Sequence, residues 1–143
     1  MGRYRAEALR RLDESLGVDV TALSVPEIVS RMIDVAITMG IKHKGFVSTM
    51  LTQVSAGPIF FSGQQFRGDL AQRIAAVIGA RAPQIAPADR QLYASVSQAM
   101  FGAHLLLALQ ALKAGDRALG KRIIEQAKLG QTVYFERLLA DAG

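Results

Sequence analysis

The sequence predicts an all-α protein, an antiparallel bundle of about six helices. Three observations carry that expectation. β-Branched alternation at the strand period is missing, and no Asn-Gly or Asp-Gly hairpin turn occurs, since the chain contains no Asn. Apolar residues recur instead at three- and four-residue spacing in successive segments. Capping residues, glycines and prolines punctuate those segments. The composition agrees: 143 residues, 50% hydrophobic and 20% charged, suit one domain with a sizeable core.

The first helix is "RYRAEALRRLDESLG", with Tyr4, Ala8, Leu12 and Leu16 close to one face and Gly17 to end it. Its start has no good cap, so it reads as the back half of a longer helix. The second helix opens at "SVPE". Ser24 is the N-cap and Glu27 the N3 partner of a capping box, and Pro26 suits a first turn whose N–H groups need no intrahelical acceptor. Ile28, Met32, Val35 and Met39 form its stripe, and Gly40 can stop it. A short helix follows from about Lys44 to Gln53, with Phe46 and Met50 on one side. "SAGPIFFSG" (55–63) reads as a loop broken at Gly57-Pro58.

The next helix spans about Gln64 to Arg81, with Phe66, Leu70, Ile74, Val77 and Ile78 as its stripe. "APQIAP" (82–87) is a rigid break, and Pro87 opens a long helix that should run to Ala114 with Gly115 as its C-terminal cap. Asp116 can cap the last helix, from Arg117 to about Ala140. Leu119, Ile123, Ala127, Gly130 and Tyr134 share one of its faces.

The stretch "QLYASVSQAMFGAHLLLALQAL" (91–112) holds no charge and is long enough to span a bilayer. Read by angle, its first half keeps a polar side (Gln91, Ser95, Gln98), whereas the half after Gly102 is apolar all round. Its serines and glutamines, His104 and its amphipathic neighbours argue against a membrane. The expectation is one helix buried twice, by its own domain and by a second subunit. Tyr93, Ser97, Met100 and His104 then face an internal pocket, and Leu105, Leu109 and Leu112 face the partner. Gly120 and Gly130 interrupt the last helix and permit close approach of another. Two such hairpins meeting across a twofold axis make a four-helix bundle. Ile124, Gly130 and Phe135 are the candidate interface positions on the last helix.

The chain excludes several functions. It has no cysteine, hence no disulfide scaffold or thiolate metal site. "MGRYRAEALRR" contains no apolar signal-peptide core. The formal charge is +5, but the bases are dispersed and read as solvated faces, not as a phosphate-binding stripe. The two histidines, His43 and His104, have no metal-ligand spacing, and no nucleophile elbow, P-loop or dinucleotide fingerprint occurs. No catalytic residue, cofactor or metal is expected. What stands out is a surplus of soft apolar side chains, including Met39, Phe46, Met50, Phe66 and Met100. With Tyr93, Ser97 and His104 as polar groups, they are the candidate walls of a ligand pocket.

The order of pieces resembles the C-terminal regulatory domain of the TetR family of transcriptional regulators. The resemblance rests on "RYRAEALRRL", "SVPEIVSRMIDVAI", "KGFVSTML", "GQQFRGDLAQRIAAVI", "APADRQLYASV" and "GKRIIEQAKLGQTVYFERLLA". It covers essentially the whole chain, with Ala86 standing where a capping Ser is typical. It implies a single regulatory domain over residues 1–143 that binds a small, often hydrophobic effector and dimerises through its last two helices. It also implies a cytoplasmic, non-enzymatic repressor that reaches operator DNA through an N-terminal helix-turn-helix. Nothing before Arg3 matches that element, so the DNA-binding domain is expected to be absent from this chain. Two other readings stay open. One is a stand-alone dimeric carrier or scavenger of hydrophobic molecules. The other is a small helical enzyme, which requires His104, Tyr93 and an acid to converge on one pocket.

Overall fold

The computed structural model describes residues 2–17, 19–43 and 61–142, with residues 2–5 and 61–69 as helical backbone only. Five α-helices and one 3₁₀ turn account for nearly all of them: α1 (Gly2–Leu16), the turn Val20–Ala22, α2 (Val25–Lys42), α3 (Phe61–Arg81), α4 (Pro87–Lys113) and α5 (Arg117–Ala142). No strand occurs among the described residues. The short helix expected from Lys44 to Gln53 lies outside them. α3 begins at Phe61, three residues before the expected Gln64, so Phe61, Ser62 and Gly63 are its first turn and not the end of a loop.

Local chemistry sets most helix ends. Ser24 accepts a hydrogen bond from the Glu27 amide while the Glu27 carboxylate accepts from the Ser24 amide, which completes the capping box. Gly115, at φ 83°, closes α4: its N–H donates to Leu112 C=O and the Asp116 N–H to Ala111 C=O, a Schellman motif. Asp116 then caps α5, its Oδ1 accepting from the Leu119 amide at 3.0 Å. α4 starts without a side-chain cap at Ala86. Arg90 compensates by donating to Ile85 C=O and Pro83 C=O, both at 2.7 Å, and so holds the α3–α4 turn.

α2 is the central helix. Through Val29 and Ile33 it packs on Ala127 of α5, through Met39 on Ala8 of α1 and Leu105 of α4, and through Ile28 on Leu12 and Leu16 of α1. α3 and α4 approach closely on small residues, with Ala71, Ala75, Ala82 and Ala94 around Ile74, Ile78 and Ile85. α4 and α5 form an antiparallel hairpin, pinned in its interior by one polar contact: Ser97 Oγ donates to Gln131 Oε1 at 2.5 Å, and Gln131 Nε2 donates to Ser97 C=O at 3.0 Å. Each group satisfies the other, so the pair is buried without an orphaned partner.

Candidate functional site

The five helices leave a cavity of about 70 Å³ between them. Its walls are Ala8, Leu9 and Leu12 of α1, and Val29, Met32, Ile33, Val35, Ala36 and Met39 of α2. Leu70 and Ile74 of α3, Ser97, Gln98 and Phe101 of α4, and Gln131 and Phe135 of α5 are its other described walls. A smaller void of about 30 Å³ shares the walls Val29, Met32, Ile74 and Phe135. Met32, unbranched and flexible, sits between the two.

Among its described walls the cavity is apolar with three amide or hydroxyl side chains. Ser97 and Gln131 are bonded to each other. Gln98 is not: it is 7% exposed, and its buried Nε2 has no hydrogen-bond partner. No Asp, Glu, Lys, Arg or His occurs among the described lining residues.

The wall made by α1 carries a set of ion pairs besides its apolar packing. Glu7 is a hub on its outer side. Lys42 Nζ lies 2.9 Å and Arg11 Nε 3.0 Å from Glu7 Oε1, and His43 Nε2 lies 2.8 Å from Oε2. The Lys42 hydrogen bond first, then those of Arg11 and His43, hold the Glu7 carboxyl down at about 2, against an opposing push from partial burial. Farther along, Arg73 of α3 forks onto Asp13 at 2.9 and 3.1 Å and keeps that carboxyl below its usual range. Arg31 of α2 donates to Ser15 C=O at 2.6 Å. Ion pairs at the surface thus add to the buried apolar packing of Ala8, Leu12 and Leu16 in holding α1 over the cavity.

An apolar cavity in an all-helical domain, with a capped α2 beneath it and a long α4–α5 hairpin behind it, agrees with one comparison. A family model described as a tetracyclin repressor-like, C-terminal domain matches residues 24–128. The chain belongs to this family. No curated protein and no solved structure matches the chain. The tetracyclin repressor-like match opens at the Ser24 cap and contains every cavity wall from α2, α3 and α4.

Within this tetracyclin repressor-like domain the sequence-predicted residues fall into three groups. Met39 and Ser97 line the cavity. Phe46 and Met50 lie outside the described residues, as does the side chain of Phe66. Tyr93, Met100 and His104 are not among the described cavity walls. Tyr93 packs on the α3–α4 core, and His104 turns to Gly130, with its Cε1 4.0 Å from where a Cβ would stand. His104 Nδ1 is buried and unpartnered there. Tyr93 and His104 are eleven residues apart on one helix, roughly 16 Å along its axis, so they do not converge on a catalytic centre.

Most of the residues expected on the partner face have contacts within the protomer. Leu105 is 3% exposed and packs on Ala8 and Met39, and Leu109 packs on the same cluster. Ile124 packs against Val29, Ile33 and Ala127, and Phe135 lines the cavity. Leu112 is half-buried against Gly120. Of the expected interface residues only Gly130 is exposed. α4 and α5 each carry two apolar sides, and Leu105, Leu109, Ile124 and Phe135 lie on the inner one.

Gln98 and Gln131 were missed as site residues. Gln98 follows Ala94 by four and precedes Phe101 by three, which is core spacing. Its polarity had placed it on the wet side.

Proposed function

We propose that residues 1–143 form one effector-binding and dimerising domain of a TetR-like transcriptional regulator, a repressor released from operator DNA by a small apolar effector. The observation that carries this reading is the apolar cavity walled on one side by α1, inside a domain of the tetracyclin repressor-like family. DNA contact in this reading belongs to a helix-turn-helix continuing from α1. The setting is the cytoplasm, where regulators of this family work as soluble proteins.

The size of the cavity supplies a mechanism. An engineered cavity of about 150 Å³ takes up benzene, so one of about 70 Å³ admits an effector only when a wall moves. α1 is the wall that carries surface ion pairs beside its apolar contacts, and such pairs are individually weak. An effector that pushes on Ala8, Leu9 and Leu12 shifts α1 and whatever α1 carries. It acts because it binds the displaced arrangement better than the closed one.

The dimer reading is supported by α4. Pro87–Lys113 is long and apolar enough to cross a membrane, yet only 28% of its apolar window is buried in the protomer. Leu92, Val96 and Leu107 of α4 and Leu119 and Val133 of α5 are exposed. Val96, Leu107, Leu119 and Val133 lie on the outer side of the hairpin, along with the small Ala103 and Gly130, where helices of a second copy can approach closely. Pairing of two hairpins there builds a four-helix bundle and covers α4 without a bilayer.

Thermal unfolding tests the effector reading. Neutral apolar compounds should raise the melting temperature in proportion to the logarithm of their concentration, because a ligand of the native state stabilises it by mass action. A chemically broad set of apolar compounds that leaves the transition unmoved sinks the reading.

A further inference from the structure

We infer that Gln98 is the polar anchor of the cavity, and that the effector it receives is a neutral, mainly apolar molecule carrying a carbonyl or ether oxygen. The inference rests on the reading of the cavity as the effector site and goes beyond it by specifying the ligand's chemistry.

Two neighbouring observations point the same way. The first is the unspent hydrogen-bonding capacity. Ser97 and Gln131 use their donors on each other, Ser97 Oγ to Gln131 Oε1 and Gln131 Nε2 to Ser97 C=O. Gln98 lines the same cavity, is more than nine-tenths buried, and its Nε2 has nothing to donate to. A buried amide N–H is costly to leave unmet, and structures meet it with protein, water or ligand. What the site lacks is therefore an acceptor.

The second observation is charge. The described walls contain no ionisable side chain. Against these described walls a carboxylate or an ammonium meets no counter-charge and loses its hydration, which favours a neutral effector. The rest of the ligand meets Met32, Met39, Phe101 and Phe135, soft or aromatic surfaces that adapt to an aliphatic or ring body. Gln98 thus discriminates by its donor, and the remaining wall by polarity alone.

A matched set of seven-carbon probes tests this: heptane, 2-heptanone, heptanoate and heptylamine. Headspace partitioning over the protein gives Kd for the two volatile probes, and titration calorimetry gives it for the ionic ones. Wild type is compared with Gln98→Met, which keeps length and flexibility, and with Gln98→Leu. Far-UV circular dichroism checks that each variant stays helical. 2-Heptanone should bind wild type about tenfold more tightly than either variant, the equivalent of one good hydrogen bond, while heptane binds all three proteins with similar affinity. Heptanoate and heptylamine should bind wild type more weakly than the ketone. Equal ketone affinity in wild type and both variants overturns the anchor and leaves the cavity as an effector site. Tighter binding of heptanoate or heptylamine overturns the neutral ligand class. Binding of neither heptane nor 2-heptanone to wild type overturns the effector-site reading, and the anchor with it.

Discussion

A buried amide donor without an acceptor weakens the protein that carries it, and Gln98 Nε2 has no hydrogen-bond partner within the protein. Replacing it with Met removes the unmet N–H and keeps the volume. Gln98→Met should therefore stabilise the ligand-free protein by about 1 kcal/mol and raise its melting temperature by roughly 2–4 °C. A lower melting temperature for the variant would mean that the amide has a partner in solution. Glu7 is the opposite case, a group whose interactions are more than met. Its carboxyl titrates at about 2 in the fold against 4.5 as the ordinary value, so it contributes stability above 4.5 that fades as pH falls from there through about 2. Glu7→Gln should accordingly be less stable than wild type near neutrality, and the gap should close across that acid window. Urea unfolding at several pH values checks it, and a constant gap down to pH 2 contradicts the assignment. Neither role was legible at the level of single residues. Glu7 reads as an ordinary solvent-facing helix position, because Lys42 and His43, 35 and 36 residues away, meet it only in the fold.

At the scale of elements, legibility followed how local the cause is. Ser24, Pro26 and Glu27 mark the start of α2, Gly17 and Gly115 the ends of α1 and α4, and Pro87 the first turn of α4. Each acts within a few residues, so each could be read from the chain. The inner side of α5 could not. Leu119, Ile123 and Val133 make one apolar side, and Ile124, Ala127 and Phe135 another; only the position of α2 decides between them. Gly120 shows what the hairpin demands. A Cβ there would stand 2.8 Å from Leu112 Cδ2 and 2.9 Å from its Cγ, inside van der Waals contact. Ala raises helix propensity over Gly by about 1 kcal/mol, but overpacking of this kind costs about 1–3 kcal/mol. Gly120→Ala should thus destabilise the wild-type background. In a Leu112→Ala background, where the clash is gone, the same change should stabilise. A double-mutant cycle measured by thermal or urea unfolding reads the difference directly, and additive effects would show that the hairpin has room at this point.

The whole molecule combines an α1 clamped by ion pairs, a cavity that is small while closed, and a hairpin with apolar residues on both sides. The inner side is consumed by the protomer, as Leu105 against Ala8 and Met39 demonstrates. The outer side is not: Leu107 is 53% and Val133 56% exposed. If the outer side joins two copies, a charge placed there must separate them without harming either. Leu107→Glu and Val133→Glu should therefore convert a dimer into a monomer in sedimentation at tens of micromolar, with helical content unchanged, because the carboxylate is hydrated once the copies part. Leu105→Asp should behave differently and unfold the protomer, since a carboxylate buried beside Met39 has no counter-charge and no water. A wild-type chain that sediments as a monomer at that concentration removes the dimer from the proposal. A Leu107→Glu dimer of undiminished stability would instead move the interface to another surface and leave the apolar face of α4 unexplained.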